Sequence, residues 1–483
     1  MPGSAPDTLA LPLDQLPDPL PLTPPVRTPG DAPRITLRPP GSKSLTNRAL
    51  LLAALADGTS TLRRPLLDAD DAQRMLAAIE LLGAKVQPPE PSDPESTLRI
   101  TGTRGTWPIT APASVNLNNA GTATRFLAAS ALRAQHPLTI DGNERMRERP
   151  IGELSEALRS LGCTVEHTGK HDNCPPLTIT APLATGSDFA AAPTLEFGRT
   201  RSSQFLSAFL LVGPSLPQGL TLKLNAPPTS ASYLRMTLNL LDGLGAHVQA
   251  ADDLRVIRVG PPEDSSALPA FDLDIEPDAS GATYWYGAGA LLSRFTVGVE
   301  GLDRHSLQGD ALFPSLLKRM GARVKSTTND ESPNQSVTRT EVTGPDTLAP
   351  IMADMADMPD AAMTLAAVAA FATGPSILRG LETLRDKECD RIAATQAELA
   401  KIGVEVTTPV NGDAGAITIT PPPGGVNCSP TAPEVAFDTY DDHRMAMSLA
   451  LIALRRPNVV INDPACVAKT YPNYWQHFAK LIS

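Results

Sequence analysis

The clearest pattern in the sequence is a short polar turn that leads directly into a run of apolar residues. The turn at 40–48 is followed by apolar residues from Ala49 to Leu55 and then by the short segment Ser60-Thr61-Leu62, and other short segments alternate, as in Leu220-Thr221-Leu222-Lys223-Leu224. A run that is apolar on all sides is typical of a buried helix, and strict alternation is typical of a strand. This part of the chain therefore predicts a turn, a buried helix, a second turn and a strand.

The same order occurs six times along the chain. The copies lie about 80 residues apart, and self-similarity at a fixed period indicates a repeat architecture. Their polar turns read PGSKS from residue 40, GTATR from 121, RSSQ from 201, DASG from 278, MPDAA from 358 and YDDHR from 440.

A second motif has the same spacing and ends a second helix in each repeat. It consists of a glycine between an apolar residue and a strand-like segment, at Gly83, Gly162, Gly245, Gly321 and Gly403. Glycine at this position supplies the left-handed conformation that ends a helix. Each repeat is therefore predicted to hold one buried helix and one amphipathic helix, separated by short strands. The sixth repeat lacks closing strands, and we expect the segment 34–37 to supply the missing strand.

Chain length and repeat number indicate two domains. A chain of 483 residues is too long for one ordinary core. We predict an α/β (α+β) fold with residues 44–275 in a first three-repeat domain and residues 31–43 plus 276–483 in a second. Residues 1–30 are rich in proline and contain no basic residue before Arg27. We interpret them as an extended, mobile tail, not as a secretory signal or transit peptide.

Composition and charge exclude several functions. The net charge of -11 disfavours nucleic acid as a partner. The apolar runs are shorter than the roughly 18 residues that a membrane-spanning helix needs. The five cysteines show no CxxC or CxxH spacing, which predicts a reducing cytoplasm and no structural zinc. We expect a cytoplasmic protein, a monomer, with no metal, no nucleic-acid partner and no membrane association.

The starts of the predicted buried helices carry residues that bind anions. A helix N-terminus offers unpaired N–H groups and the positive end of the helix dipole. The residues at these starts include Lys43, Ser44, Thr122, Ser202, Ser203 and Arg444. If the starts faced a cleft between the domains, as in an inside-out α/β barrel, they would hold a small polyanion. Alternatively, the Ser and Thr residues are only helix caps, although the cationic Lys43 and Arg444 would be unfavourable as caps.

Three further segments concentrate charge, at 143–150, 385–391 and 468–472. Arg149 precedes Pro150 and a predicted helix, where it could reach an anion. Lys387 and Arg391 share one helix face. Each segment alone also has an ordinary structural interpretation, as a solvated surface, a salt-bridged helix face or a lysine that follows a strand.

Eight ordered segments between about Arg34 and Ser483 resemble the signature stretches of the 5-enolpyruvylshikimate-3-phosphate synthase family. They read PGSKSLTNRALLLAAL, NNAGTATRFLAA, RMRERPIGEL, RSSQFLSAFLL, MPDAAMTLA, LRDKECDRI, TYDDHRMAMSLAL and DPACVAKTYPNYW. The resemblance implies two similar domains, each of three βαβαββ units. It also implies transfer of the enolpyruvyl group of phosphoenolpyruvate to the 5-hydroxyl of shikimate 3-phosphate, with release of phosphate. It implies no cofactor, and it makes the phosphoenolpyruvate site a glyphosate target.

The resemblance further implies a role for each matching residue. It implies that Asp360 is the base, that Glu388 is the acid and that Lys43 is a third catalytic group. The implied ligands of shikimate 3-phosphate are Lys43, Ser44, Arg48, Ser202, Ser203, Gln204, Ser230, Tyr233, Asp360, Thr383 and Lys387. The implied ligands of phosphoenolpyruvate are Lys43, Asn119, Gly121, Arg149, Gln204, Arg391, Arg444 and Lys469. Asp442 and His443 are expected to orient Arg444.

Two residues depart from the family pattern. Thr383 stands where the family often has Asn, so the substrate contact is kept only if the Thr383 hydroxyl reaches the substrate. Phe126 stands where Pro is common, which could alter helix packing behind Arg125.

Three other functions fit the sequence less well. The transferase of the same fold that acts on UDP-N-acetylglucosamine needs a reactive cysteine in a mobile loop, and no cysteine precedes Cys163. A non-catalytic anion-binding scaffold would not need Asp360, Lys387 and Glu388 at this spacing. A P-loop is excluded because no glycine precedes Lys43 at the required positions.

Overall fold

The computed structural model describes residues 6–25, 33–185, 191–263, 265–329 and 337–483, and the statements below concern these residues. The chain divides into two compact units, Gly41–Glu276 on the one hand and Met1–Pro40 with Pro277–Ser483 on the other. The two crossings between the units lie within a few residues of the domain boundaries that the repeats suggested. We call these units the 41–276 unit and the 277–483 unit.

The first described segment contains one short helix and two strands. They are α1 (Pro6–Leu9), β1 (Leu20–Leu22) and β2 (Arg34–Leu37). Leu9, Leu20 and Leu22 are buried, and β1 pairs with the strand Val459–Ile461 near the other end of the chain. The interpretation of residues 1–30 as a mobile tail is therefore wrong for 6–25, since these leucines pack into a core. Residues 1–5 and 26–30 lie outside the described residues.

The 41–276 unit contains six helices and twelve strands among its described residues. The helices are α2 (Lys43–Leu55), α3 (Asp70–Leu81), α4 (Gly121–Ser130), α5 (Gly152–Ser160), α6 (Ser203–Val212) and α7 (Ala231–Gly243). The strands are β3 (Thr59–Arg63), β4 (Lys85–Gln87), β5 (Leu98–Thr101), β6 (Ala113–Asn116), β7 (Leu138–Asp141), β8 (Thr164–His167), β9 (Leu177–Thr180), β10 (Thr194–Phe197), β11 (Leu220–Leu224), β12 (His247–Ala250), β13 (Val256–Gly260) and β14 (Asp272–Asp274).

The 277–483 unit continues the same alternation of helices and strands. Its helices are α8 (Ala279–Leu291), α9 (Phe313–Arg319), α10 (Ala362–Ala369), α11 (Arg391–Ala400), α12 (His443–Ala450) and α13 (Tyr474–Ile482). Its strands are β15 (Thr296–Glu300), β16 (Arg323–Asn329), β17 (Val337–Thr343), β18 (Met352–Asp354), β19 (Ser376–Arg379), β20 (Glu405–Thr407), β21 (Ile417–Thr420), β22 (Val435–Phe437) and β23 (Val459–Ile461). Short 3-10 helices at Gly309–Leu312, Pro359–Ala361, Glu382–Asp386 and Pro464–Lys469 carry residues discussed below.

The described strands form six sheets with one repeated plan. The sheet β6-β7-β9-β8 shows it: β6 and β7 are parallel, and β9 and β8 follow with antiparallel pairing. With the intervening helices α4 and α5, this is a βαβαββ unit. The sheets β14-β3-β5-β4, β10-β11-β13-β12, β2-β15-β17-β16 and β18-β19-β21-β20 have the same plan. The six copies seen in the sequence are therefore six structural repeats.

Three strands join sheets that are distant from them in sequence. Strand β14 pairs with β3 of the first repeat, and β2 pairs with β15 of the fourth. The expectation that 34–37 completes the sixth repeat is thus wrong, because this strand opens the fourth. Strand β1 completes the sixth sheet instead: it lies antiparallel to β23, as β21 lies antiparallel to β19 in the fifth sheet.

One helix in each repeat is buried, as the apolar runs predict. Every residue of α4, α8, α10 and α12 is buried, and α2 and α6 are buried beyond their first turns. Within the 41–276 unit, α2, α4 and α6 contact one another, and in the 277–483 unit α10 contacts α8 and α12. The five predicted helix-ending glycines all have positive φ, between 80° and 113°. In the described part of the chain, no helix has the length and hydropathy needed to cross a membrane.

Candidate active site

Lys43, the first residue of α2, lies beside a carboxylate that the sequence did not reveal. Its Nζ is 3.6 Å from Asp71 Oδ2, and the two side chains are only 12% and 2% exposed. Asp71 lies in the first turn of α3, where an acidic residue is common. The helix dipole alone explains an acidic residue at this position, so the sequence does not indicate that Asp71 pairs with Lys43.

Arg48 lies one turn further along α2 and is almost entirely buried. Its guanidinium donates to Thr237 Oγ1 at 2.9 Å, to the Ser44 carbonyl at 2.9 Å and to the Tyr233 carbonyl at 3.4 Å. It also lies 5.3 Å from the ring centroid of Phe126. Burial lowers the pKa of Arg48 to about 10. Arg48 thus joins α2 to α7 and α4, and direct binding of a substrate by Arg48 stays a prediction.

Asn119, Gly121, Arg125 and Arg149 lie together at the start of α4, and we call them the cradle. Arg149 Nη1 donates to Asn119 Oδ1 at 3.0 Å, and Arg125 Nη1 donates to the Gly121 carbonyl at 3.0 Å. Both arginines are 5% exposed. A Cβ at Gly121 would lie 2.7 Å from Arg149 Nη2 and 2.9 Å from Arg125 Nη1. Two guanidinium groups therefore converge on a helix start where the backbone has no side chain.

The start of α6 adjoins the cradle. Gln204 Nε2 donates to Thr122 Oγ1 at 3.3 Å, which links α6 to α4. Ser202 Oγ accepts from the Gln204 N–H at 3.2 Å, so Ser202 is the cap of α6. The cap interpretation is thus confirmed for Ser202. Its binding of a ligand stays a prediction, as does that of the neighbouring Ser203.

Ser230 and Tyr233 lie at the start of α7. Ser230 occupies the position before the first helical residue in a left-handed conformation, with φ 51°, and its carbonyl accepts the Tyr233 N–H at 3.1 Å. The carbonyl of Tyr233 in turn accepts from Arg48. These contacts connect the predicted shikimate 3-phosphate residues on α2 and α7 within one unit.

In the 277–483 unit, seven charged side chains form one ion network. Asp360, in the 3-10 helix Pro359–Ala361, lies at its centre. Asp360 Oδ1 is 3.0 Å from Arg391 Nη1 and 3.3 Å from Lys387 Nζ, and Oδ2 is 3.0 Å from Arg444 Nη2. Among the described residues, the network includes Asp360, Lys387, Glu388, Arg391, Asp442, Arg444 and Lys469.

Glu388 bridges two cations of the network. Its Oε1 is 2.9 Å from Lys469 Nζ, and its Oε2 is 2.9 Å from Arg391 Nη2. The Glu388 side chain is 8% exposed and that of Lys469 is 13% exposed. Lys469 ends the 3-10 helix Pro464–Lys469, which contacts α12. The structure therefore brings together residues of two charged segments, 385–391 and 468–472, whereas Arg149 of the third segment, 143–150, lies in the cradle.

Arg391 is the most buried cation of the network. It pairs with Asp360, Glu388 and Asp442, and its side chain is 1% exposed. Burial alone would lower the pKa of Arg391, but the three carboxylates raise it above its ordinary value. Burial lowers the pKa of Lys387, although Asp360 opposes this change. Four cations thus share three carboxylates in a largely buried region.

Helix α12 holds Asp442, His443 and Arg444 at its start. Asp442 Oδ1 accepts the Arg444 N–H at 2.9 Å, so Asp442 is the helix cap. His443 is fully buried, with Nδ1 3.8 Å from Asp442 Oδ1. The expectation that Asp442 orients Arg444 has direct support in this contact, whereas the role of His443 stays a prediction.

The sequence did not identify Asp310 or the environment of Thr383. Asp310, in the 3-10 helix Gly309–Leu312, is buried, and its Oδ1 accepts from Ser280 Oγ at 3.1 Å. Burial and the nearby Asp360 raise the pKa of Asp310 to about 7.

Thr383 Oγ1 is buried and finds no hydrogen-bond partner among the described residues. A contact of Thr383 with a substrate stays a prediction.

The described residues do not include a cluster of three or more His, Cys, Asp or Glu side chains with the geometry of a metal site. The anionic and cationic groups of the network instead pair with each other. Such an arrangement can bind a small polyanion through its cations and can transfer protons through its carboxylates.

Known proteins of one family match most of this chain. A family model described as EPSP synthase (3-phosphoshikimate 1-carboxyvinyltransferase) matches residues 28–478. The 3-phosphoshikimate 1-carboxyvinyltransferase of Shewanella denitrificans is 39% identical over 442 residues, which cover 92% of this chain and 95% of that protein. The enzyme of the same name from Citrobacter koseri is 38% identical over 446 residues, with 92% and 96% covered.

Solved structures support the same fold. The EPSP synthase of Acinetobacter baumannii aligns with a TM-score of 0.72 at 22% identity, over 94% of this chain and 96% of that one. The enolpyruvyl transferase NikO from Streptomyces tendae aligns with a TM-score of 0.64 at 19% identity, over 94% and 95%. At these identities the structures establish fold similarity, while the family model and the sequence relatives establish the family. The chain belongs to the EPSP synthase (3-phosphoshikimate 1-carboxyvinyltransferase) family.

Proposed function

We propose that the chain transfers the enolpyruvyl group of phosphoenolpyruvate to the 5-hydroxyl of shikimate 3-phosphate and releases inorganic phosphate. Family membership supports the reaction. The observation that supports the assignment of its residues is the ion network, in which the two proposed proton carriers, Asp360 and Glu388, share Arg391.

Asp360 acts as the base. Three cations lie within 3.3 Å of its oxygens, and cations at this distance favour the charged form of a carboxylate. Asp360 can therefore accept the proton of the 5-hydroxyl while the hydroxyl oxygen bonds to C2 of phosphoenolpyruvate. Lys387 and Arg444 pair with the same carboxylate. They therefore place positive charge beside the reacting oxygen.

Glu388 acts as the acid. It donates a proton to C3 of phosphoenolpyruvate, and this yields a tetrahedral intermediate at C2. When the C2–O bond to phosphate breaks, phosphate leaves with the proton that Asp360 took from the 5-hydroxyl, and C3 returns a proton to Glu388, which restores the double bond. The acid must be protonated before the first step, whereas the contacts to Lys469 and Arg391 favour its charged form. Substrate binding must therefore alter these contacts.

Each unit supplies its own anion-binding groups. The 41–276 unit contributes Lys43, Asn119, Gly121, Arg149 and Gln204 for phosphoenolpyruvate, and the 277–483 unit contributes Arg391, Arg444 and Lys469. The shikimate 3-phosphate groups are Lys43, Ser44, Arg48, Ser202, Ser203, Gln204, Ser230 and Tyr233 in the first unit, and Asp360, Thr383 and Lys387 in the second. Convergent guanidinium groups suit the carboxylates and phosphates of both substrates.

We propose a cytoplasmic monomer that needs no metal or organic cofactor and does not bind nucleic acid. The five free cysteines and the net charge of -11 support a reducing compartment and small-molecule substrates.

The activity assay measures phosphate release from phosphoenolpyruvate with and without shikimate 3-phosphate. We expect release only with both substrates present. Equal or faster turnover with UDP-N-acetylglucosamine in place of shikimate 3-phosphate would contradict the proposed substrate. Release of phosphate from phosphoenolpyruvate alone at the same rate would contradict the transfer reaction.

A further inference from the structure

The turn at residues 438–441, which precedes α12, has an unusual backbone conformation. Tyr440 and Asp441 both have positive φ, 58° and 51°, a conformation that residues with side chains rarely adopt. Such conformations persist only where the surrounding structure holds them, and they are common next to functional sites. Asp442 and Arg444 of the ion network follow this turn directly.

One buried carboxylate contacts the turn at two residues. Glu398, on α11, is 0% exposed. Its Oε1 accepts from the Tyr440 hydroxyl at 2.7 Å, and its Oε2 accepts from the Asp438 N–H at 2.9 Å. Glu398 Oε2 also pairs with Lys401 Nζ at 2.7 Å. Both oxygens are therefore occupied by contacts to the turn or to the lysine that neutralises the carboxylate.

Lys401 reinforces the same turn. Besides its pair with Glu398, its Nζ contacts Asp438 Oδ2 at 2.8 Å and donates to the Ala436 carbonyl at 3.0 Å. Asn462 Nδ2 donates to the other oxygen of Asp438 at 2.6 Å. The first residue of the turn is thus fixed through both its backbone and its side chain.

Helix α11 connects this anchor to the ion network. Its first residue, Arg391, pairs with Asp442 through two hydrogen bonds, and Glu398 lies two turns further along the same helix. One rigid element therefore holds the turn at Asp438 and Tyr440 and holds the residue after the turn at Asp442. The position of α11 sets where the start of α12 lies.

We propose that Glu398 is a positioning residue, which acts through Asp438 and Tyr440 to place Asp442 and Arg444. The role of Arg444 as a phosphoenolpyruvate ligand rests on the proposed function. Without the Glu398 carboxylate, the Tyr440 hydroxyl and the Asp438 N–H lose their acceptor, so the left-handed conformation at Tyr440 and Asp441 loses this support. The turn then relaxes, and the guanidinium of Arg444 leaves its position beside Asp360.

Steady-state kinetics tests this role in Glu398→Ala, Glu398→Gln and Tyr440→Phe. We expect Glu398→Ala to lower kcat/KM for phosphoenolpyruvate roughly 10- to 100-fold, the scale of a displacement of about 1 Å in a catalytic site. A glutamine side chain keeps an acceptor oxygen for the turn, so Glu398→Gln should recover part of the loss. Tyr440→Phe keeps the Asp438 contact and should show a smaller loss in the same direction.

Gln396→Ala is the matched control on the same helix. Gln396 Nε2 donates to the Val406 carbonyl at 2.9 Å, on a strand that does not belong to the turn. Its substitution removes one contact of α11 and should leave both kinetic constants at the wild-type value. An equal kinetic loss in Gln396→Ala would show that any loosening of α11 has this effect, and would overturn the specific role of Glu398.

Hydrogen–deuterium exchange of the free protein gives a readout that does not depend on activity. We expect faster exchange of the amides of 438–446 in Glu398→Ala and Tyr440→Phe, and no change there in Gln396→Ala. Unchanged exchange in these variants, or unchanged kcat/KM with only a lower Tm, overturns the proposal. If the wild-type protein shows no transferase activity, the proposed function fails, and the exchange comparison still decides the role of Glu398. If Glu398→Ala does not fold, Tyr440→Phe and Glu398→Gln supply both measurements.

Discussion

Arg391 and Asp442 form a two-point ion pair in which neither side chain is appreciably exposed. Arg391 Nε donates to Asp442 Oδ2 at 2.7 Å, and Nη2 donates to Oδ1 at 3.1 Å. The remaining nitrogen of Arg391, Nη1, donates to Asp360. The pair joins the starts of α11 and α12, and it determines the direction in which this guanidinium faces the rest of the network.

Removal of Asp442 should destabilise the protein, because it leaves the buried guanidinium without its main partner. We expect Asp442→Ala to lower the free energy of unfolding by about 3–5 kcal/mol, the usual cost of breaking a buried pair. Glu148→Ala, which removes an exposed partner of Arg145, should cost less than about 1 kcal/mol. Chemical denaturation followed by tryptophan fluorescence measures both, and similar losses would contradict the importance of burial.

The proton carriers should be distinguishable from groups that only bind substrate. Asp360→Ala and Glu388→Gln should lower kcat by about two to four orders of magnitude, the scale of general acid-base catalysis. Arg444→Ala should raise the KM for phosphoenolpyruvate as well. Asp386→Asn is the control, since Asp386 is an exposed carboxylate beside Lys387 and should retain wild-type kcat. Near-normal kcat in Glu388→Gln would contradict its role as the acid.

Phosphoenolpyruvate binding should be accompanied by proton uptake at Glu388. The carboxylate is paired with Lys469 and Arg391 and is also close to Lys387, Asp441 and Cys389. An anionic substrate competes for the two cations, which weakens the interactions that keep Glu388 charged. The wild-type protein should therefore take up more protons on binding than Glu388→Gln, by up to about one.

Titration calorimetry in buffers of different ionisation enthalpy measures this uptake. Phosphoenolpyruvate is titrated without shikimate 3-phosphate so that no reaction occurs. Protonation of the ligand itself contributes equally to both proteins and cancels in the comparison. Equal proton uptake by the two proteins would show that Glu388 does not change its charge on binding.

The repeats and the charged helix starts could be predicted because their signals are local. Each buried helix is one continuous apolar run, and each helix-ending glycine is marked by its own neighbours. The assignment of the sixth repeat failed because strand pairing depends on residues more than 400 positions apart, as in the pairing of Leu20 with Ile461. Two short strands, 20–22 and 34–37, were available for two sheets, and the apolar pattern does not distinguish them.

The same limit applies to the site. Lys387, Glu388 and Arg391 lie in one segment and could be grouped from the sequence. Asp310 and Glu398 could not, because each is an ordinary acidic residue until its partners are known. Their importance depends on burial next to Ser280 and Tyr440 respectively, and burial of an isolated acidic residue leaves no periodic trace in the sequence.

Asp310 should make the stability depend on pH. Burial, together with Asp360, raises its pKa from the ordinary value of 3.8 to about 7, and Asp278 contributes in the same direction while Arg444 opposes it. Between these values the folded protein holds a proton that the unfolded chain has lost, so stability falls as pH rises from about 4 to about 7. Asp310→Asn should remove this fall in stability. At pH 8 its free energy of unfolding should exceed that of the wild type by roughly 2–4 kcal/mol.

Denaturation at pH 5 and pH 8 tests this expectation. Asp346→Asn is the control, because the pKa of Asp346 is shifted in the opposite direction. A hydrogen bond from Ser293 and the charge of Arg294 lower the pKa of the exposed Asp346. Its replacement should therefore give no gain at pH 8. A variant Asp310→Asn that is less stable than the wild type at pH 8 would show that the carboxylate is charged and well paired.

Gly121→Ala should weaken inhibition by glyphosate more than it weakens binding of phosphoenolpyruvate. The new Cβ would lie 2.7–2.9 Å from nitrogens of Arg149 and Arg125, so these guanidinium groups must shift and the space beside the helix start becomes smaller. Phosphoenolpyruvate is the shorter ligand and should tolerate the change better than glyphosate. We expect the inhibition constant to rise by a larger factor than the KM.

A purely conformational role for Gly121 predicts a different result. If the turn required glycine, alanine would cost about 1 kcal/mol or more and leave the ratio of the two constants unchanged. Gly121 is not among the glycines with positive φ, however, so alanine can adopt its backbone conformation and the Tm should change little. Gly152→Ala is the matched control: Gly152 also begins a helix, and its Cβ would lie 2.9 Å from Asn173 Cβ, with side-chain atoms of Asn173 as its nearest neighbours. A changed ratio in Gly121→Ala alone supports the cradle as the phosphoenolpyruvate site, whereas an unchanged ratio with a lower Tm would remove Gly121 from that site.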